Sequence, residues 1–469
     1  MLENKWVPFS LEAEESLLGA ILMNNDAHAR VSSIVEPHHF GEPILGHIYD
    51  IITTLIGAGK LASPITVQAF MPPMVEGTKT PTNKYIARLA AESTTIVNAV
   101  DYAKHVRELA DRRQIAEIAR LMAPDAATEA VQLAAEAIEQ LDSIVTAHTA
   151  HGAPALDMRQ AMARAVDAAA HAYQHDGQII GIPTTLRDLD HKTGGMSRGD
   201  LVVLGGRPGM GKSAVILTML RRQAEAGLKS MLVSLEMSDV PMSHRMISDA
   251  IYDMPGENIP YSYMRSGRFH EKLFATIRDA ALKISELPIR IEQQPGLTVS
   301  QIGVRARRLK RKEGLDILAV DHLDLVKAAG RYAGNKVYEL GEITAALKAL
   351  AKELDIVVIL LCQLSREVEK REDKRPQLSD LRSSGSIEQD ADTVIFLFRP
   401  EYYLANSEPA ANTPEHELWQ NAMAAARNKL NAIIAKQRSG PTGNIELFCD
   451  IANNAIRDLG IDAYLPGRI

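Results

Sequence analysis

Cysteine is almost missing from this 469-residue chain: Cys362 and Cys449 are the only two. Both stand inside apolar, strand-like runs without a second Cys or a His at metal-ligand spacing, which reads as two buried thiols and excludes a thiolate metal site. Long apolar runs are missing too, so no segment is expected to cross a bilayer as a helix. The opening Met1-Leu-Glu-Asn-Lys-Trp-Val-Pro8 lacks the basic-then-apolar layout of a secretory signal, and the expected location is the cytoplasm, with no membrane partner. An excess of positive charge is absent: 52 Lys and Arg stand against 59 Asp and Glu, a net of −7. That balance excludes a surface built throughout to hold nucleic acid, yet leaves room for a local basic groove or ring lining. Aromatic residues make up 5 %, too few to make stacking of bases on rings an expected mode of binding. Internal repeats and low-complexity tracts are lacking as well.

At this length two or three domains are expected, and 46 % hydrophobic with 24 % charged residues is the composition of an ordinary globular protein. Residues 1–148 read as all-helical, with periodic apolar positions in 11–22 and in the alanine-rich stretch 101–145. No catalytic cluster falls there, so this part reads as a collar that packs and binds partners. Residues 149–180 read as a linker with one docking helix: small and helix-breaking residues fill 146–154, and 156–173 forms an isolated helix pattern whose apolar stripe needs cover. His148, His151 and His171 lack the spacing of a metal site and read as surface or filler residues.

Residues 181–469 change character. Short apolar runs at 201–204, 230–235, 287–292, 315–320, 356–361 and 393–398 alternate with helix-length segments. Nearly continuous apolar strands predict a mostly parallel sheet buried on both faces. Strands at 432–436 and 444–449, joined by the turn-rich 437–443, predict an antiparallel C-terminal edge. The fold class is therefore α/β, preceded by an all-α region. The densest basic run, Arg305–Lys312, follows Thr298 as N-cap and reads as the outer face of a helix.

The chemistry is concentrated in Gly206-Arg207-Pro208-Gly209-Met210-Gly211-Lys212-Ser213, with Ala214 opening a helix. The spacing G-x-x-x-x-G-K-[ST] between an apolar strand and a helix is a phosphate-binding loop: glycines let backbone N–H groups turn inward around phosphates, and the helix N-terminus adds its positive end. Lys212 would supply a point charge to the β/γ-phosphates and Ser213 a hydroxyl to Mg²⁺, so ATP or another nucleoside triphosphate is the expected cofactor. Asp321 ends the apolar run 315–321 where ligands of parallel sheets sit, and would hold the metal. Glu236, at the end of a second strand, would accept a proton from the attacking water. Gln363 ends another strand and suits a sensor of the γ-phosphate. Beyond it, 365–375 is a charge run, ordinarily a mobile solvated loop, and 380–386 places Arg382, Ser383 and Gly385 where backbone and side-chain groups could grip a phosphodiester. Lys436 and Arg438, far along the chain, could complete a neighbour's site in trans; alone they would be surface cations.

Taken together with Ser234-Leu-Glu-Met-Ser238, Asp321-His-Leu-Asp324, Gln363-Leu-Ser-Arg366, Gly385-Ser-Ile-Glu-Gln-Asp-Ala-Asp392, Lys436-Gln-Arg-Ser-Gly-Pro441 and the N-terminal Ser10-Leu-Glu-Ala-Glu-Glu-Ser-Leu-Leu-Gly19, these residues resemble the motif series of DnaB-type replicative DNA helicases, over nearly the whole chain. The resemblance implies a RecA-like motor domain and a homohexameric ring that moves along single-stranded DNA, unwinding forks 5′→3′. It further implies a primase and a helicase loader as partners, and an apolar linker helix that docks on the next subunit. It assigns Lys436 and Arg438 to the adjoining subunit's phosphates and Arg382, Ser383 and Gly385 to DNA. Three positions depart from the family's habit: Ser383 in place of Glu, Asp324 in place of Gln, which would add a second carboxylate near the site, and a longer insertion at 406–426. A nucleotide-switched clamp and a recombinase filament are the rival readings. The first is disfavoured by the joint presence of Glu236, Asp321 and Arg438, the second by the long helical N-terminal part.

Overall fold

The computed structural model describes residues 8–74, 80–92, 98–122, 133–134, 136–138, 140–141, 144, 157–174, 179, 181–327, 336–381 and 384–459. The chain forms two compact units, Met1–Ala155 and Leu156–Ile469. The expected linker at 146–154, with His148 and His151, lies outside the described residues, as do the side chain of His171 and residues Arg382 and Ser383.

The N-terminal unit is helical where described, as its periodicity predicts. Helices Leu11–Met23, Pro43–Gly57 and Ala99–Leu121 bury Leu17, Leu18, Ile21, Ile48 and Ile52 in one core. Glu14, buried in that unit, accepts from the N–H groups of Gly41 (2.7 Å) and Glu42 (3.2 Å), which satisfies a carboxylate that burial would otherwise disfavour.

The second unit is built on one nine-stranded sheet: β1 (Leu201–Gly206), β2 (Ser230–Ser234), β3 (Ile289–Glu292), β4 (Ile317–Asp321), β5 (Val357–Gln363), β6 (Thr393–Phe398), β7 (Lys429–Gln437), β8 (Gly443–Asp450) and β9 (Ala455–Asp458), in the order β3-β2-β4-β5-β1-β6-β7-β8-β9. The first six are parallel and the last three antiparallel. β1 shows why apolar runs predicted burial on both faces: Leu201 and Val203 enter one core, Val202 and Leu204 the other. Both thiols are buried as expected, and burial pushes the Cys449 thiol up to about 12.

The antiparallel edge has a third strand, β9, that apolar patterning did not predict. The helix Met158–Gln174 carries Met158, Met162 and Val166 at four-residue spacing, each more than half exposed, the uncovered stripe that the sequence implied. In the basic helix Val299–Lys312, Arg307 pairs in a two-pronged contact with Glu353 (2.8 and 2.7 Å) and Arg305 with Glu292, so much of that charge is neutralised within the chain.

Candidate functional site

Parallel pairing in register aligns the C-terminal ends of four strands. Ser234 stands opposite Asp321, and Gly206 opposite Gln363. The loop after β1 therefore opens beside Asp321, Gln363 and Glu236, which follows β2 by two residues. Arg207, Pro208, Gly209, Gly211, Lys212, Ser213 and Ala214 line the same cleft of about 440 Å³ as Glu236, Asp321 and Gln363. Gly206 contributes its carbonyl. Met210 turns its side chain into the core, leaving only its backbone to the loop.

The loop keeps its shape through left-handed backbone at Gly209 (φ 79°) and Gly211 (φ 89°), conformations that a Cβ would strain. Lys212 opens the helix Lys212–Glu225 and donates from Nζ to the carbonyls of Gly206 (2.7 Å) and Arg207 (3.4 Å). Burial pushes the Lys212 ammonium below its ordinary value, although Asp321 and Glu236 favour its charge. A polyanion beside it would favour the charged form further. Ser213 Oγ lies 3.4 Å from Asp321 Oδ2, a hydroxyl and a carboxylate facing one spot. Burial raises Asp321 above the usual carboxylate range, with His322 and Lys212 opposing and Glu236 adding to the rise. Ligand atoms of Glu236, Asp321 and His322 lie within 4.8 Å of one another, the hard and imidazole donors a divalent cation accepts.

His322 is a residue the sequence reading passed over although it follows Asp321 directly. Its Nδ1 lies 3.2 Å from Glu236 Oε2. The second carboxylate expected from Asp324 is not in this cluster: Asp324 sits in the turn Leu323–Leu325, and His322 takes the place beside Glu236 instead. Arg245, Tyr261, Ile451 and Asn454 also line the cleft. Nothing in their local patterns marks them, because they come from three separate segments that only folding brings together.

Gln363 leads into a loop tied at its neck. Leu364 bridges Leu381, and Ser365 N–H donates to Asp380 O at 2.9 Å. The charge run 365–375 is not the mobile solvated loop that its composition suggests. Val368 is buried, Glu369 pairs with Arg207 (2.9 Å), and Arg371 with Asp380 (2.7 Å). This neck places Gln363 and the residue before Arg382 on one short connection. Gly385 lies exposed in the helix Ser384–Asp390.

Lys436 and Arg438 are not brought to this cleft. β7 runs antiparallel to β6, so Gln437 stands beside Thr393 at the start of β6, the end of the sheet opposite the loop. Lys436 Nζ donates to the carbonyls of Glu388 and Ala391, and burial lowers its pKa. Arg438 donates to Gln389 O (2.6 Å) and Asp392 (3.1 Å) with half its side chain exposed.

Two family models match the chain: the DnaB-like helicase C terminal domain over residues 181–456 and the DnaB-like helicase N terminal domain over residues 7–108. The replicative DNA helicase DnaB of Rickettsia bellii is 39 % identical over 463 residues, covering 95 % of this chain and 92 % of that protein. That of Geobacillus stearothermophilus is 33 % identical over 444 residues, covering 94 % and 92 %. Among solved structures, a DnaB-like replicative helicase described with its interactions with primase superposes with TM-score 0.68 at 28 % identity, covering 96 % of this chain and all of that one. A second solved structure, described as an ATPase domain, gives TM-score 0.57 at 32 % identity, covering 65 % of this chain and all of that domain.

Proposed function

The chain belongs to the DnaB-like replicative DNA helicases, an ATP-dependent class of ring motors, and from that premise we propose how its own residues share the work. Lys212 neutralises the β/γ-phosphates while the loop's N–H groups cradle them. Ser213 and Asp321 would hold Mg²⁺, which when bound would supply positive charge against the phosphates. Glu236, steadied by His322, orients the attacking water and takes its proton, so that its exposed position at the cleft mouth is an advantage. Gln363 senses the γ-phosphate and passes the state through the tied neck to Arg382, Ser383 and Gly385, which hold the DNA backbone.

Lys436 and Arg438 complete the site of an adjoining subunit. The observation that carries this reading is the placement of the pair at the sheet end opposite the chain's own loop, while Lys212, Ser213, Glu236, Asp321 and Gln363 converge on one cleft. A site divided in this way needs head-to-tail contact between subunits, which a homohexameric ring supplies, and movement 5′→3′ on single-stranded DNA is part of the same proposal. The uncovered stripe of Met158–Gln174 supports docking on the next subunit. The N-terminal helical unit is the expected contact for primase, the partner named for one structural relative, and a loader would open the ring. Work at a replication fork would place the protein in the cytoplasm. No described helix is long and apolar enough to cross a membrane.

The test is ATP turnover with and without single-stranded DNA, together with unwinding of a forked duplex, for the unaltered protein and Lys212→Ala. The unaltered protein unwinds the fork and its turnover rises with DNA, whereas Lys212→Ala loses at least about a hundredfold in turnover, the scale of removing one transition-state charge contact. Nucleotide binding without fork unwinding by the unaltered protein would overturn the reading.

A further inference from the structure

The phosphate loop has to hold an open ring of N–H donors, and helix and sheet ladders do not support its turn. Among the described residues no backbone carbonyl accepts from the N–H of Gly209 or Gly211, and the turn's own bond is Met210 N–H to Arg207 O at 3.2 Å. The other end of the same peptide is caught from outside. Arg399 Nη1 donates to Gly209 O at 3.0 Å, and Arg399 N–H donates to Met210 Sδ at 3.4 Å. The Gly209–Met210 peptide is thus pinned at its N–H by the loop and at its C=O by Arg399. Its plane fixes the direction in which the neighbouring N–H groups point.

Tyr402 closes over the same turn. A Cβ built on Gly209 would lie 2.9 Å from Tyr402 Cε2 and 3.4 Å from Cδ2, so the ring is in contact with the loop's backbone. The ring is itself backed: Tyr402 meets Tyr403 edge-on at 5.4 Å, and Tyr403 stacks on Phe398 at 5.6 Å. Arg399 is steadied by Glu401 at 3.3 Å, while its Nε is buried and meets no acceptor among the described residues. Burying a guanidinium with one N–H unmet disfavours the folded state, so stability alone is a poor reason for this residue here. The insertion singled out in the sequence braces the same segment: Trp419, on the helix Pro414–Ala426, donates to Leu404 O at 2.8 Å.

We propose that Arg399 and Tyr402 are positioning residues of the nucleotide site, an external clamp that keeps the Gly209 turn in its phosphate-receiving shape without touching the nucleotide. This rests on the reading of Gly206–Ser213 as the phosphate loop. The clamp acts on the loop, so it affects every ligand that binds through its phosphates, with or without a nucleoside.

Binding to the full-length protein of Mg·ATP and of inorganic tripolyphosphate, each measured by calorimetry, tests the proposal for Arg399→Ala, Arg399→Lys, Tyr402→Ala and Tyr402→Phe. Arg399→Ala and Tyr402→Ala weaken both ligands by the same factor, about tenfold or more given the sensitivity of such sites to small displacements. KM for ATP rises by a similar factor while kcat at saturation changes far less. Tyr402→Phe, which keeps the ring, recovers the affinity that Tyr402→Ala loses, and thermal unfolding without ligand shows that each variant is folded. Weakened ATP with unchanged tripolyphosphate would mean that these residues touch the nucleoside, and overturns the clamp, as does unchanged affinity for both. Lys212→Ala separates the two claims: if it binds tripolyphosphate normally, the phosphate-loop reading itself fails.

Discussion

Asp190 is buried and accepts from the N–H of Thr184 at 2.6 Å and of Thr185 at 3.0 Å, the latter held in left-handed backbone (φ 67°). Burial is the larger influence and pushes the carboxyl up to about 6 from 3.8. Between those values the folded chain keeps a proton that the unfolded chain has released, so stability from this group is full below about pH 4 and is lost as pH rises to about 6. A rise of that size corresponds to about 3 kcal/mol. The stability of the unaltered protein relative to Asp190→Asn, taken from urea midpoints, should fall across that window and level off above it. A difference that is flat with pH would show that Asp190 is ionised throughout. At the same scale, the loop spacing singled out Lys212 and Ser213 without any fold, because the pattern that marks them lies in neighbouring residues. His322 needed the fold, since its partner Glu236 comes from another strand.

Strand β9 illustrates what apolar patterning misses in an element. Ala455-Ile-Arg-Asp458 has four residues, and its Arg457 breaks the run, yet Arg457 is wholly buried. The charge is met by Asp249 at 2.7 Å and Asp253 at 2.9 Å, and Arg221 from the phosphate-loop helix reaches Asp249 at 2.7 Å. An ionic knot, added to the buried Ile456, thus fastens the sheet edge to the helices Lys212–Glu225 and Asp239–Tyr252. Breaking a buried pair leaves a charge without its partner, so Arg457→Met should destabilise the second unit by roughly 3–5 kcal/mol. Urea unfolding followed by a probe in that unit measures this, and a loss under about 1 kcal/mol would show the knot to be dispensable. The inner parallel strands were predictable because apolar residues run along both faces, a property carried by contiguous residues; the edge strand β3, Ile289-Arg-Ile-Glu292, alternates instead and is partly exposed.

At the level of the assembly, the sheet order bears on the proposal that Arg438 completes a neighbour's site. With Lys212 and Arg438 at opposite ends of the sheet, a subunit lacking one can still lend the other. Mixed in equal amounts, Lys212→Ala and Arg438→Ala subunits, each inactive alone, should regain ATP turnover at about a quarter of their interfaces, where an intact loop meets an intact Arg438 in a ring of heterologous contacts. Turnover assays after subunit exchange read this directly. No recovery at any mixing ratio would return Arg438 to a role within its own chain, where it already bonds Asp392 and Gln389.

Spacing and periodicity among residues close along the chain were enough to specify the parallel sheet, the helical N-terminal part and the family, and to single out the Gly206–Ser213 loop. Which groups close the cleft, and which stay away from it, was settled by folding. Arg245 and Asn454 reach the cleft, Asp324 gives way to His322, and Lys436 and Arg438 go to the far end of the sheet. Strand order and register set the distances between residues a hundred or more positions apart, and no local pattern of side chains encodes them.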